Sequence, residues 1–144
     1  MIWFGGRHPD WASFRTPGYK TMLEHLGIEL VGCGDDWLAM KMPVDERTRQ
    51  IFGRLHGGAS VALAETVGSL AAAGCVDPEA FVAVGLEINA NHVRPAHGGW
   101  VHATARPEAL GRSTHVWSIR IVDDDDRLVC ISRFTAAIIA KERK

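Results

Sequence analysis

Glu65 is the only charged residue between Leu55 and Val76. A carboxylate set in so apolar a run is desolvated if protein surrounds it, and it then needs a partner. The alternative is a glutamate that reaches an ion partner or solvent at a helix edge. Nine residues upstream stands His56-Gly57-Gly58. If a helix begins there, its first amides lack intrahelical partners and carry the positive end of the dipole. Two glycines let an oxygen approach those amides without a Cβ in the way. Gln50 precedes the trio by six residues and brings a carboxamide donor suited to a carbonyl oxygen. A carboxylate, an open helix N-terminus and an amide donor could act together on a carbonyl group without a metal or a redox cofactor. Taken singly, Gly57-Gly58 also reads as a tight turn, His56 as a structural histidine and Gln50 as an ordinary loop residue.

The elements that hold these groups follow from patterning. Gly57 to about Gly74 reads as one long helix, with Leu63, Val67 and Leu70 on one stripe and Glu65 with Ser69 on another face. Small residues fill the rest, so the helix is expected to be enclosed on nearly all sides. Gly57 and Glu65 then lie roughly 12 Å apart by helical rise, too far to share one carbonyl within a chain. Thr16 and Pro17 read as the N-cap and first position of a shorter helix over 17–26, stopped by Gly27. Strands are expected at Ile28–Cys33 and Trp37–Met42, and again at Ala83–Val93, Gly99–Arg106, Thr114–Val122 and Leu128–Ile139. Short turns, Pro95 to Gly98 among them, predict antiparallel neighbours. The layout is α+β, a mostly antiparallel sheet on one central helix.

Composition excludes several functions. The 144 residues make one domain, and 16 Lys plus Arg against 17 Asp plus Glu leave a net charge of −1, no field for a nucleic-acid backbone. Cys33, Cys75 and Cys130 form no C-x-x-C pair, which predicts reduced thiols in a cytoplasmic protein. Residues 1–10 have no apolar core of a signal peptide. The run 55–76 is too rich in Gly, Ala and Ser, with an acid near its centre, to span a membrane. His92, His97 and His102 are spaced by five, but only His92 and His102 would meet across a hairpin, and no carboxylate or Cys completes a metal set. Asp123 to Asp126 reads as a solvated turn rather than a calcium loop. Ser60 and Ser69 have no Ser-His-Asp context.

Three blocks in order carry a family resemblance: Q-x-x-x-x-x-H-G-G-A-S-x-x-L-A-E-T-x-G-S from Gln50 to Ser69, V-G-L-E-I-N-A-N-H-V-R over 84–94, and L-G-R-S-T-H-V-W over 110–117. They resemble the hotdog-fold acyl-CoA thioesterases of the PaaI-like and hydroxybenzoyl-CoA branch, near those of menaquinone and enterobactin synthesis. The resemblance covers about residues 16–140. It implies a hotdog fold and a catalytic carboxylate at Glu65, acting as nucleophile or as general base on water. It implies that the Gly57 N–H polarises the thioester carbonyl, that Gln50 and His56 lie near the thioester, and that Ser69 orients the water or the carboxylate. It implies a site shared by two subunits of a dimer of dimers, a homotetramer. Arg94, Ser113 and Thr114 match positions that hold the nucleotide phosphate of coenzyme A, with Arg112 as a further contact.

Two departures stand out. Ile51 follows Gln50 where relatives often have proline, so the loop is less restricted. Residues 1–15, an N-terminal extension to a domain over 16–144, carry Trp3, Phe4, Trp11 and Phe14 with no role in the resemblance. They are expected to pack on the surface, cover an apolar patch or close the acyl pocket. The expected activity is hydrolysis of an aromatic or medium-sized acyl-CoA. Two alternatives remain open: a proofreading thioesterase acting on misloaded acyl-carrier proteins, and a non-catalytic acyl-CoA-binding protein.

Overall fold

A computed structural model describes residues 1–14 and 18–142. The central element is α2, Gly57–Gly74, as the glycine and small-residue pattern predicts. Leu63 and Val67 are fully buried on its inner stripe, each worth about 1.5–3 kcal/mol in apolar burial. Beneath it runs a six-stranded sheet in the order β1-β2-β4-β5-β6-β3. The strands are β1 (Glu29–Cys33), β2 (Leu38–Pro43), β3 (Phe81–His92), β4 (Trp100–Leu110), β5 (Thr114–Asp123) and β6 (Leu128–Ala140). Every pairing is antiparallel. On β5 the inward row His115, Trp117, Ile119 and Ile121 is buried, as period-2 alternation requires.

The first helix is shorter than expected. α1 spans Met22–His25, and its N-cap is Thr21, whose N–H donates to Glu24 Oε2 at 2.8 Å. Thr16 and Pro17 lie outside the described residues. Gly27, at φ +68°, ends the helix as expected.

The segment Pro95 to Gly98 does not make a hairpin. β3 pairs with β6, and two strands separate it from β4. The connection crosses the end of the sheet, fixed by Leu55 N–H to Ala96 O at 2.8 Å and Val44 N–H to Gly99 O at 2.8 Å. A short turn reports chain reversal, not which strand becomes the neighbour. His92 and His102 therefore do not meet. His102 Nε2 lies 2.8 Å from Asp124 Oδ1 instead.

Within one chain the helix is enclosed on its inner face and partly open on the other. Val61, Ala62, Glu65, Thr66 and Ser69 are only half-buried. β3 ends the sheet with Phe81, Val82, Val84 and Leu86 exposed, an apolar edge strand with no neighbour on its outer side among the described residues. At the N-terminus Trp3 is buried in the core cluster and meets Trp11 edge to face, ring centroids 5.3 Å apart. Phe4 is exposed.

Candidate active site

The loop before α2 is built around Gln50. Its side-chain Oε1 accepts from Phe52 N–H at 2.6 Å and Arg54 N–H at 3.3 Å. Those bonds hold the carboxamide by its oxygen and leave its NH2 group to donate elsewhere. His56 is the N-cap of α2, and its Nδ1 accepts from Gly58 N–H at 2.8 Å. The ring proton consequently sits on Nε2. Gly57 follows, and its N–H has no acceptor among the described residues. It is one of the orphan donors at a helix start.

Gln50, Gly57, Ser60, His92 and Arg94 line one cleft of about 340 Å³. His92, which the sequence offers only as a candidate metal ligand, is a member of this cleft. Its Nε2 would stand 2.8 Å from a Cβ on Gly57, so the bare glycine is what admits the imidazole. The signal was present: His92 continues the inward row of Ile88 and Ala90 on β3. Ser60, set aside as a nucleophile, is buried at the floor. His56 does not line this cleft, because its ring is turned to cap the helix.

The remaining expected residues lie elsewhere within the chain. Glu65 and Ser69 sit further along α2 and line no part of the cleft. Glu65 Oε1 rests against the backbone of Gly85 on β3, where a Cβ would come within 2.7 Å of it. Among the described residues its carboxylate has no hydrogen-bond or ion-pair partner. Arg112, Ser113 and Thr114 form the exposed β4–β5 turn, closed by Gly111 N–H to Thr114 O at 2.9 Å. Arg94 lies at the opposite end of the sheet, beside Val129, whose carbonyl accepts its N–H at 3.3 Å. One chain thus holds an acceptor-binding half and a carboxylate half, apart from each other.

Residues 52–130 match the thioesterase superfamily. The chain belongs to this family. As a thioesterase it is 48% identical over 139 residues to the 1,4-dihydroxy-2-naphthoyl-CoA hydrolase of Escherichia coli K12, covering 96% of this chain and 100% of that one. It is 44% identical over 139 residues to the proofreading thioesterase EntH of Cronobacter turicensis, covering 96% and 99%. The fold superposes on a thioesterase from Haemophilus influenzae with a TM-score of 0.89 at 45% identity, over 97% of this chain and 96% of that one. Its six-stranded antiparallel sheet on one long helix is the hotdog layout that the three sequence blocks imply for a thioesterase. The thioesterase has no helix among its described residues long and apolar enough to cross a membrane.

Proposed function

We propose that the enzyme hydrolyses an aromatic or medium-sized acyl-CoA in a site completed by two chains. The observation that carries this is the separation of Gln50, Gly57 and His92 in one cleft from Glu65 outside it, beside an apolar edge strand. A two-fold axis near Ile88 would pair β3 with its copy antiparallel, setting the Gly85 row of one chain opposite the His92 row of the other. Glu65 of one chain then faces Gly57 of its partner. Two such dimers form the homotetramer.

In this site the Gly57 N–H and the Gln50 carboxamide donate to the thioester oxygen as charge builds there. His56 serves this site by capping the helix start that presents the Gly57 N–H. Glu65 acts on the carbonyl carbon directly or by taking a proton from water, and Ser69, one turn along the same face, orients that group. The C–S bond then breaks and coenzyme A leaves as its thiolate. The acid forms by the water's own attack or, after direct attack, when water hydrolyses the acyl–Glu65 anhydride and restores the carboxylate. Arg94 of one chain, which lies at the opposite end of its own sheet from Arg112, Ser113 and Thr114, binds the nucleotide phosphates together with those three residues of the partner chain. A cleft of about 290 Å³, lined mostly by apolar side chains such as Trp11, Leu23, Ile28, Met40 and Leu70 but also by Thr21 and Glu24, suits an acyl group of that size. We place the enzyme in the cytoplasm, where its three free thiols stay reduced.

Similarity to EntH supports a second reading, in which the thioester is carried by an acyl-carrier protein. Thiol release over a panel of aroyl-CoA, medium-chain acyl-CoA and acyl-carrier-protein thioesters tests both. The first reading expects the highest kcat/KM on an aroyl- or medium-chain CoA. Turnover confined to carrier-protein thioesters selects the second, and no turnover of any member contradicts both.

A further inference from the structure

Away from the thioester site, the first strand ends in a polar cluster that no step above uses. Cys33 Sγ lies 3.2 Å from His8 Nδ1, and the indole N–H of Trp11 donates to the same sulfur at 3.3 Å. On the far side of the imidazole, His8 Nε2 is 3.9 Å from Asp35 Oδ1. A base able to take the thiol proton, an N–H aimed at the sulfur, and a carboxylate facing the resulting imidazolium are the surroundings of a nucleophilic thiol. His8, though not Cys33, also lines a cavity of about 610 Å³ between the N-terminal segment and the end of α2, with Phe4, Arg7, Pro9 and Asp10. That volume falls within the range of small-molecule pockets, roughly 300–1,000 Å³.

The same contacts tie down the N-terminal segment. Trp3 Nε1–H donates to Gly34 O at 2.7 Å, and Ile2 N–H donates to Asp35 O at 2.8 Å. Trp11 continues from the sulfur to the end of α2, where its ring would meet a Cβ on Gly74 at 2.9 Å. His8 and Trp11 both reach the Cys33 sulfur, while Trp3 and Ile2 hold the start of the segment to Gly34 and Asp35 without it.

We propose that Cys33 is a modification site for low-molecular-weight disulfides, and that the mixed disulfide releases the segment around His8 and Trp11. His8 Nδ1 takes the Cys33 proton, and the thiolate attacks one sulfur of the disulfide. A new bond to Cys33 Sγ forms as the original S–S bond breaks, with its electron pair on the departing thiolate. The departing thiolate takes the proton back from the His8 imidazolium. Cys33 is oxidised and the departing thiol is the reduced product. The adduct occupies the space through which His8 and Trp11 reach the sulfur, so both contacts are lost.

The chain supplies its own reference thiols. Burial pushes the Cys75 thiol up to about 12 and pushes Cys130 up as well, so neither is poised to react.

The test treats the reduced full chain with glutathione disulfide near pH 7 and follows each cysteine by peptide mass spectrometry. Cys33 is expected to gain the glutathionyl group at least about tenfold faster than Cys75 or Cys130. His8→Asn, which keeps a polar side chain but removes the base, should slow that rate by roughly tenfold. Tryptic cleavage after Arg7 should be faster in the adduct and return to its starting rate after reduction. Equal rates at the three cysteines, an unchanged rate in His8→Asn, or unchanged cleavage after Arg7 in the adduct would each overturn the proposal.

Discussion

Glu65 and Gly85 are matched in shape: the carboxylate Oε1 occupies space that is open only because residue 85 has no side chain, since a Cβ there would stand 2.7 Å away. An alanine at Gly85 must push the carboxylate aside. A misplacement of about 1 Å in a reacting group can cost on the order of 10² in rate. Gly85→Ala is therefore expected to lower kcat by about 10–10² and leave the folded state intact. Steady-state kinetics with circular dichroism checks this, and wild-type kcat in a folded Gly85→Ala enzyme would show that this placement of Glu65 does not matter.

Gln50 has two separable jobs. Its Oε1 holds the loop amides of Phe52 and Arg54, while its NH2 group is left to donate. Gln50→Glu keeps the acceptor and removes the donor. The expected result is a thermal midpoint close to wild type with kcat lowered by about 10². Gln50→Ala loses both and should also destabilise the loop. A Gln50→Glu enzyme with unchanged kcat would remove the side chain from the oxyanion site.

Arg94 is assigned to substrate affinity rather than to the chemical step. A remote phosphate contact binds ground and transition states alike. Arg94→Ala should raise KM for acyl-CoA several-fold with kcat nearly unchanged, and added salt should inhibit the variant less than the wild type. An unchanged KM would take Arg94 out of the nucleotide site.

The β5–β6 turn carries a pH-dependent contribution to stability. Burial pushes the Asp123 carboxyl up, but hydrogen bonds from the N–H groups of Arg127 and Asp125 and from the Arg127 guanidinium more than offset it and hold the group below the usual carboxylate range. A depressed folded-state value stabilises the fold above the unfolded value of about 4, and that contribution is lost as pH falls through the folded value. Asp123→Asn should therefore flatten the acid limb of a plot of Tm against pH. Identical limbs in the two proteins would contradict this.

The legible parts of the sequence were those governed by local rules. Small residues bounded by Gly57 and Gly74 gave α2 its ends, and alternation gave the strands to within a few residues. The Gln50 loop and the helix N-terminus were readable because spacing along a chain fixes them. Whose atoms cover an apolar surface was not readable. The all-round apolarity of α2 predicts enclosure by protein without saying whose, and within one chain the face bearing Glu65 is only half-buried. The same limit misassigned β3: its turn signal at Pro95 was clear, but pairing with β6 depends on contacts distant in sequence. The roles of Gly85 and His92 are not legible in the sequence, where His92 reads only as a candidate metal ligand, because each meets a residue on another element.

The central claim is that Glu65 of one chain works with Gln50 and Gly57 of another. Glu65→Ala alone should lower kcat by at least about 10². The direct measurement mixes Glu65→Ala chains with chains carrying Gln50→Ala and His56→Ala, each inactive alone, under conditions where subunit exchange is followed by mass spectrometry. Some interfaces then pair an intact Glu65 with an intact Gln50, His56 and Gly57. A shared site predicts activity that rises with exchange to a fraction of wild type. Complete exchange without recovered activity, or full wild-type turnover by a monomer in light scattering, would contradict the shared site.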